Sequence, residues 1–286
     1  MSTRARWDGA RGGRWACLIV GAALAVPADF AVAENKTAEA PCRAPAFARA
    51  SAASVIDGRT FVTDDGREIR LDGIDVPLSS GSDVAAAGAA SASAAAKRAR
   101  DHLQSQLAGR TVILAGNADD RDRYGRLRAQ VHVFADGSER WVQGDMVAAG
   151  HARVAGNGPC TAALLRHERA ARATTLGLWS DPYYLVRRAD EPAAVAGQQG
   201  RFTIVEGNVL SVRESGGTIY VNFGRRWSED FTVTIAKRNE RSFTAAGLEP
   251  KRLDGRRVRV RGWVEARGGP LIEAARPEQI EVVERR

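Results

Sequence analysis

A tight turn at Asp64-Asp65-Gly66 constrains the fold of this chain most, because β-like runs flank it on both sides, at 52–63 and 68–74. An Asp-Gly pair supplies residues that tolerate the positive backbone φ angles of a short hairpin turn. We therefore expect an antiparallel hairpin here, and with it a sheet built from short strands.

The order of the following segments predicts a small barrel. They have, in turn, helical, strand, strand, helical and helical spacing, at 84–109, 110–114, 129–134, 141–149 and 161–176. An order of three strands, one helix, two strands and two helices suits a five-stranded OB-type barrel with helices packed against it. The fold class that we expect for 51–186 is therefore mainly β with some α.

A second strand-rich region follows the first. Residues 187–200 have the Pro, Gly and Gln content of a linker. Between 201 and 286, apolar and polar residues alternate in short runs that are separated by Gly-Gly and Asp-Gly turns. We expect a small all-β module, for which an OB-like barrel is one candidate architecture, and we find no sequence repeat that relates it to the first barrel.

Residues 1–33 have the pattern of a secretory signal peptide. Four arginines precede an apolar run at 16–26, and the small residues Ala31 and Ala33 follow it. The run is shorter than the roughly 20 apolar residues that span a bilayer. We expect cleavage near Ala33, a linker at 34–50, a periplasmic or secreted protein, and no transmembrane segment after signal removal. A retained N-terminal anchor is the alternative.

Charge and cysteine content narrow the partners and the compartment. Loss of residues 1–33 removes four Arg and two Asp, so the formal net charge falls from +8 to +6. A basic surface attracts nucleic acid and other polyanions alike, and the sequence identifies no protein partner. Two cysteines remain, Cys42 and Cys160, which in an oxidising compartment either form a disulfide or stay unrelated thiols.

The central region resembles the staphylococcal nuclease (thermonuclease) family through five ordered motifs. They are Val55-Ile-Asp-Gly-Arg-Thr-Phe61, Ile69-Arg-Leu-Asp-Gly-Ile-Asp-Val-Pro77, Asp122-Arg-Tyr-Gly-Arg126, Met146-Val-Ala-Ala-Gly-His-Ala-Arg153 and Gly177-Leu-Trp179. One such motif would be weak evidence, whereas five in the same order are specific. The resemblance implies an OB-type barrel over about 52–186 and Ca²⁺-dependent hydrolysis of DNA or RNA.

The same resemblance implies roles for individual residues. Arg70 and Arg126 match the two cations that clamp the phosphate during cleavage. Asp75 matches a metal-ligand carboxylate, Asp57 matches a carboxylate close to the metal, and Tyr124 matches an aromatic residue on the nucleotide side. These residue types suit the chemistry, because Ca²⁺ prefers carboxylate oxygens and polarises the phosphate as a Lewis acid.

Two positions depart from the family's pattern. Where the family has Asp-Gly-Asp-Thr this chain has Asp57-Gly58-Arg59-Thr60, and where it has Asp-x-Pro-Glu this chain has Asp75-Val76-Pro77-Leu78. Arg59 thus replaces a direct metal ligand, and Leu78 replaces the general base. General base catalysis alone contributes about 10²- to 10⁴-fold to a rate. We therefore expect an incomplete Ca²⁺ site and impaired cleavage.

Two interpretations of Arg59 stay open. Its guanidinium either occupies the space of the metal, pairs with Asp57 or Asp75 and joins Arg70 and Arg126 in binding a phosphate, or it points to solvent from a relaxed site. In the first case the site binds a phosphate without cutting the ligand.

Two classes of function therefore remain. The first is a non-catalytic protein that binds nucleic acid or another phosphate-bearing ligand. The second is an active, divergent, metal-dependent phosphodiesterase that cleaves DNA or RNA, in which Asp64, Asp72 or Asp83 would have to rebuild the metal site. The substitutions at the site favour the first class, because function resides in the site rather than in the fold.

Other patterns are weaker. His102, His132, His151 and His167 show no zinc-ligand spacing, and Ser79-Ser80-Gly81-Ser82 has no histidine partner nearby, so we expect packing or surface histidines and a loop. In the second module, the alternating residues Arg257, Arg259 and Arg261 predict either a polyanion-binding stripe or a solvated strand face. The segment 225–227, Arg-Arg-Trp, places a stacking aromatic beside two cations.

Overall fold

The structure is a computed structural model that describes residues 42, 44–78, 86–135, 137–156, 158 and 160–283. The described residues between Cys42 and Val283 belong to one compact unit. The predicted signal peptide, most of the predicted 34–50 linker, the predicted Ser-rich loop at 79–82 and Asp83 lie outside the described residues. Among the helices that the structure describes, none is both long enough and apolar enough to cross a membrane.

The first part of the chain forms a barrel with helices against it. Its elements are β1 (Ala46–Asp57), β2 (Thr60–Thr63), β3 (Glu68–Leu71), β4 (Ile74–Asp75), α1 (Ala86–Leu107), β5 (Thr111–Ala115), β6 (Leu127–Ala135), β7 (Ser138–Trp141), α2 (Val142–Ala148), β8 (Arg153–Val154) and α3 (Thr161–Ala173). The sheet order is β3-β2-β1-β5-β6, and a parallel β3–β6 pairing closes the barrel. This is the five-stranded OB-type barrel that the sequence predicts.

The predicted hairpin joins β2 to β3. Gly66 has a φ of +80°, and its N–H donates to the Thr63 carbonyl at 2.9 Å. The predicted single run at 52–63 is wrong, because the chain turns at Gly58 and Arg59 and the run divides into β1 and β2. Strand β1 also begins at Ala46, inside the predicted 34–50 linker, because residues 46–51 pair with β5.

Helix α1 packs through an apolar stripe. Ala99, Leu103 and Leu107 recur at every fourth position, so they lie on one helix face, and all three are fully buried in the core of the barrel. Helix α2 is fixed to the barrel by a buried polar side chain, because Gln143 accepts a hydrogen bond from the Val131 N–H and donates one to the Ala129 carbonyl.

Two of the sequence motifs meet at a backbone contact. Gly150 and Gly177 both have positive φ angles, and the Leu178 N–H donates to the Gly150 carbonyl at 2.8 Å. A Cβ atom at Gly150 would lie 2.3 Å from the Leu176 carbonyl oxygen, so no larger residue fits. Trp179 is buried. The packing of the fold therefore explains the residues of both motifs without any catalytic role.

The second part of the chain is an all-β module with two short helices. Its elements are β9 (Arg187–Arg188), α4 (Pro192–Ala196), β10 (Phe202–Asn208), β11 (Ser211–Ser215), β12 (Thr218–Asn222), β13 (Thr232–Ala236), α5 (Glu240–Ala245), β14 (Arg257–Arg267), β15 (Gly269–Glu273) and β16 (Ile280–Val282). The sheet order is β11-β12-β13-β15-β14-β10-β9, with a parallel β13–β15 pairing. If β10 and β11 are taken as two halves of one bent strand, this is the strand order of the first barrel. The module thus has OB-like topology.

The predicted linker at 187–200 is wrong, because these residues are folded into the second module. Strand β9 pairs with β10 in parallel, and α4 carries Val195, which is fully buried in the second core. The linker-like composition hides two core residues, Ala189 and Val195, among small and polar ones. The described chain therefore passes from one barrel to the other through ordered structure.

A buried ion pair joins the two parts. Glu168 on α3 and Arg261 on β14 are both completely buried, with Oε2 and Nη2 2.9 Å apart. Glu168 also accepts the Val154 N–H at 2.8 Å, and Arg261 Nη1 donates to the Val154 carbonyl at 2.9 Å. Glu281 on β16 is a second partner of Arg261. Burial by itself raises the pKa of Glu168, but the charge and hydrogen bonds of Arg261 outweigh it and lower the pKa.

The same contacts correct the two interpretations of the arginine stripe on β14. Arg261 is covered by the first part of the chain, Arg259 pairs with Glu206, and Arg257 pairs with Glu206 at 2.7 Å. Neither a polyanion-binding stripe nor a solvated face describes this strand. Its arginines mostly form ion pairs with carboxylates of the protein itself.

A disulfide closes a long loop of the chain. Cys42 and Cys160 are bonded, with their Cα atoms 5.3 Å apart and a separation of 118 positions in the sequence. Cys160 is buried at the start of α3. The bond therefore fixes the segment before β1 to the helix that carries Glu168.

Candidate functional site

The site begins at the turn between β1 and β2. A Cβ atom at Gly58 would lie 2.7 Å from the Cβ of Ala99, so glycine is what lets α1 lie against this turn. The carboxylate of Asp57 accepts a hydrogen bond from the Arg59 N–H at 2.8 Å and thereby stabilises the turn. The side chain of Arg59 consequently projects toward β4 rather than into solvent.

Asp75 lies between two guanidinium groups. Its Oδ1 is 3.5 Å from Arg59 Nη1, and its Oδ2 is 2.8 Å from Arg153 Nη2. The second contact follows from the fold, because Asp75 on β4 and Arg153 on β8 are directly opposite each other in an antiparallel pair. Asp75 is only 9% exposed, so both of its oxygens are occupied in a shielded environment.

Aromatic rings hold Arg153 in place. Its guanidinium carbon lies 5.3 Å from the ring centre of Tyr184 and 5.0 Å from that of Phe202. Both rings are buried, and Phe202 belongs to the second module. Cation–π contacts of this kind are worth about 0.5–2 kcal/mol. The second module therefore helps to keep Arg153 against Asp75.

Arg70 is a cation of this site that has no partner among the described residues. It lies on β3 opposite Thr60 and is half-buried, and no hydrogen bond or ion pair reaches it from the described residues. Burial lowers the pKa of Arg70, and the nearby charges of Arg59 and Arg126 lower it further, against the weaker opposing effect of Asp122 and Asp57. An anion at this position would relieve that repulsion.

Arg126 is anchored by the loop that precedes β6. Its Nε and Nη2 atoms lie 2.8 and 2.7 Å from one oxygen of Asp122, whose other oxygen accepts the N–H groups of Tyr124 and Arg126. Tyr124 is 66% exposed, and Arg123 and Arg126 lie over its ring at 4.7 and 5.1 Å. The loop thus presents an aromatic ring and cations at the surface beside Arg70.

Two cavities adjoin these residues where the barrels meet. One of about 430 Å³ is lined by Arg59, Arg70 and Asp75 from the first barrel and by residues of the second, which include Trp263, Glu265, Glu273 and Arg276. A smaller one of about 110 Å³ lies beside Asp75, Arg153, Leu78, Tyr184 and Phe202. Asp57, Tyr124 and Arg126 line neither cavity. The structure therefore brings Arg59, Arg70 and Asp75 together, with Arg126 acting on them through its charge.

The residues present do not fit a Ca²⁺ ion. Asp75 already neutralises two cations, and Asp57 caps its own turn. Arg59 places a positive charge next to Asp75, and Leu78 is apolar and 41% exposed. Among the residues that the structure describes, no group of three or more His, Cys, Asp or Glu residues could hold a metal ion. A hard cation would need carboxylate oxygens that are free to coordinate it.

Asp72 and Asp64, which could have rebuilt the metal site, make other contacts. Asp72 lies 3.7 Å from Arg128, and burial raises its pKa. Asp64 is exposed at the hairpin turn, where it accepts the Ser51 N–H. Neither lines a cavity that contains Arg59. Asp83 lies outside the described residues.

Sequence reasoning missed three residues of this site. Arg153 stands in the fourth motif but is 78 positions from Asp75, and only the pairing of β4 with β8 reveals the contact. Phe202 and Trp263 come from the second module, which showed no sign of contributing to the site. The alternation in β14 could have identified Trp263 as an outward-facing aromatic. Val260 and Val264, which occupy the alternate positions of this strand, face the core.

Comparison with known families supplies one match. Residues 68–181 match the family model described as Staphylococcal nuclease homologue. The matched range includes Arg70, Asp75, Arg126 and Arg153, whereas Arg59 and the second module lie outside it. A search of curated proteins found no match to this chain.

Proposed function

We propose that this chain, whose residues 68–181 form a staphylococcal nuclease homologue domain, binds a phosphate group of nucleic acid or of another phosphate-bearing ligand without Ca²⁺-dependent cleavage. The observation that carries the proposal is the unpartnered guanidinium of Arg70, held between the charges of Arg59 and Arg126. Guanidinium groups bind phosphate through paired, charge-assisted hydrogen bonds.

Buried donors support this proposal. Nε of Arg59 is buried without a hydrogen-bond partner among the described residues. A buried unsatisfied donor costs about 1–3 kcal/mol, so a ligand oxygen that accepted its hydrogen would gain affinity. Three carboxylates line the 430 Å³ cavity. Glu265 and Glu273 lie on the wall of the second module, and Asp75, on the wall with Arg70, is already paired with Arg59 and Arg153, which leaves Arg70 to an anion.

The lack of cleavage rests on a different observation. Arg59 and Arg153 hold both oxygens of Asp75. Leu78, at the position of the general base, has an apolar side chain that cannot accept a proton. The alternative is a divergent, metal-dependent phosphodiesterase that cleaves DNA or RNA, which the family match favours in general terms. The two differ in whether binding is followed by turnover.

Export belongs to the same proposal. The signal-like pattern of residues 1–33 supports it, and so does the Cys42–Cys160 disulfide, because such bonds persist in oxidising compartments. N-terminal sequencing of the protein from a periplasmic or culture fraction should start near Glu34. A full-length chain confined to the cytoplasm would contradict export.

The first test compares binding with cleavage. Labelled single- and double-stranded DNA and RNA are incubated with the mature protein in Ca²⁺, Mg²⁺, Mn²⁺ or EDTA, and anisotropy and product length are recorded. We expect binding in EDTA and no metal-dependent product. Arg70→Gln should weaken binding, whereas Arg49→Gln, the same change at an exposed position of β1, should not.

Two results would contradict the proposal. Equal affinity of the Arg70→Gln and Arg49→Gln variants would remove Arg70 from the ligand site. Metal-dependent cutting that disappears in an Arg70→Gln/Arg126→Gln variant would show an active nuclease and would favour the alternative.

A gain-of-function variant tests the role of the arginines. Arg59→Asp with Leu78→Glu supplies the two missing carboxylates, but Arg153 still holds one oxygen of Asp75 at 2.8 Å. We therefore expect Ca²⁺-dependent cleavage to be weak in this double variant and to rise when Arg153→Gln is added. If all variants bind no Ca²⁺ although circular dichroism shows intact folding, the assignment of the site is wrong.

A further inference from the structure

A groove of about 670 Å³ crosses the second barrel; Arg59 and Arg70 do not line it, and it shares Glu273 with the 430 Å³ cavity. Strands β11, β12, β13 and β15 and the ends of their loops line it. Arg213 on β11 pairs with Tyr220 on β12, which pairs with Thr234 on β13, so these three side chains form a row across one face. The residues that come next to them along the strands, such as Val221 and Val233, point to the opposite face and are buried in the core. The row therefore lies on the outer face of the barrel.

An exposed tryptophan stands at one end of this groove. Trp227 lies in the loop between β12 and β13 and is 72% exposed. Its ring packs beside Gly268 at the β14–β15 turn, where a Cβ atom would lie 3.1 Å from the ring. The glycine thus lets the indole rest against the turn. Packing within the protein covers only a small part of this ring, so contact with a ligand explains its position better.

The charge of the groove is positive. Three arginines and one carboxylate, Glu273, are the ionic residues along it. Arg213 and Arg238 are exposed and have no ion-pair partner among the described residues, whereas Arg267 pairs with Glu265 at the surface. Two unpaired cations beside aromatic rings favour an anionic ligand that has flat groups.

The floor of the groove is polar. Its lining includes five hydroxyl or amide side chains, Ser215, Thr218, Asn222, Thr232 and Thr234. OB folds bind oligonucleotides and oligosaccharides on the face of their second and third strands, which here are β12 and β13. Aromatic stacking with a cationic groove is how proteins hold unpaired bases, since every base has a π face.

We propose that this groove binds single-stranded nucleic acid, with bases stacked on Trp227 and Tyr220 and the phosphates along Arg213 and Arg238. The positive charge distinguishes this ligand from a neutral oligosaccharide. The need for exposed base faces distinguishes it from a duplex. This second site and the phosphate site at Arg70 have different cationic residues, although Glu273 lines both cavities.

The test uses the full mature chain that carries Arg70→Gln and Arg126→Gln, so that the groove is measured by itself. Binding of labelled single-stranded oligonucleotides is followed by anisotropy and by quenching of tryptophan fluorescence. Trp227→Ala should weaken binding about 5- to 150-fold, the range for loss of one stacked base, and Trp227→Phe should restore most of it.

Salt dependence tests the arginines. In Arg213→Gln/Arg238→Gln, the negative slope of log affinity against log salt should become shallower by about 1.4. Each phosphate contact on a single strand contributes about 0.7 to the steepness of this slope. Arg256→Gln, an exposed change outside the groove, should leave the slope as it is.

Three results would overturn the proposal. The first is unchanged affinity and quenching in Trp227→Ala. The second is equally tight binding of a duplex of the same length, and the third is tighter binding of a neutral oligosaccharide. If only Arg70→Gln/Arg126→Gln abolishes binding by the chain, the phosphate site stands and the groove does not. If binding survives in that background and depends on Trp227, the groove stands without the phosphate site.

Discussion

Removing the charge of Glu168 should destabilise the whole chain by about 3 kcal/mol. Breaking a buried ion pair by changing one partner costs about 3–5 kcal/mol, because an uncompensated charge remains. Glu168→Gln keeps an acceptor for the Val154 N–H, and Glu281 still contacts Arg261, so the lower end of the range applies. Arg261→Met leaves the carboxylate of Glu168 without its partner and should cost about 5 kcal/mol.

The double variant separates the pair from its parts. Glu168→Gln/Arg261→Met buries no unpaired charge at either position, so its loss should be smaller than the sum of the two single losses by about 2–3 kcal/mol. The measurement is equilibrium unfolding in urea, with tryptophan fluorescence and circular dichroism as independent probes. Single losses below about 1 kcal/mol that simply add would refute the reasoning, because they would mean that water or other groups replace each partner freely.

The pH dependence gives an internal check on the sign. The folded-state pKa of Glu168 is lowered, so its contribution to stability is complete above the unfolded value of about 4.5 and is lost as the pH falls through the folded value. The stability difference between the natural chain and Glu168→Gln should therefore be constant at neutral pH and shrink in acid. A difference that grew in acid would contradict a lowered pKa.

Three further predictions concern other residues. Burial lowers the pKa of His151 to about 4, so the free energy of unfolding should decrease as the pH falls from 6.5 toward 4, and a urea titration of His151→Asn should show a weaker decrease. Reduction of the Cys42–Cys160 disulfide should lower stability by roughly 4 kcal/mol, which calorimetry with and without reductant would show, and an unchanged melting temperature would contradict it. Phe202→Leu keeps most of the bulk but removes the ring beside Arg153, so it should cost about 1–2 kcal/mol by denaturation, and a loss near zero would mean that the cation–π contact is worth little.

The architecture of the first barrel could be predicted because its signals are local. The Asp-Gly turn, the spacing of α1 and the alternation in the strands each lie within one segment, and the order of segments leaves few topologies. The prediction that Arg59 lies close to Asp75 was based on the family resemblance rather than on the spacing of residues. This proximity has a structural basis in the β1–β2 turn and in β4.

The contacts that the sequence did not reveal are those between distant segments. Alternation in β14 indicates which side chains share a face, but it does not indicate that α3 covers Arg261. Composition marked 187–200 as a linker, because two buried apolar residues, Ala189 and Val195, are too weak a signal. Arg153 carried no chemical signal of its own, since its partner is set by the pairing of two short strands.

The ion pair between Glu168 and Arg261 also bears on how the cell would treat a damaged copy of this protein. A chain clipped after residue 186 would retain every residue of the nuclease-like barrel, but the carboxylate of Glu168 would have lost its buried counter-ion and Ile204 would no longer cover Trp179. Such a fragment should open more often and expose its backbone to proteases. Quality control would then degrade the first barrel whenever the second is missing, so that the first does not persist alone.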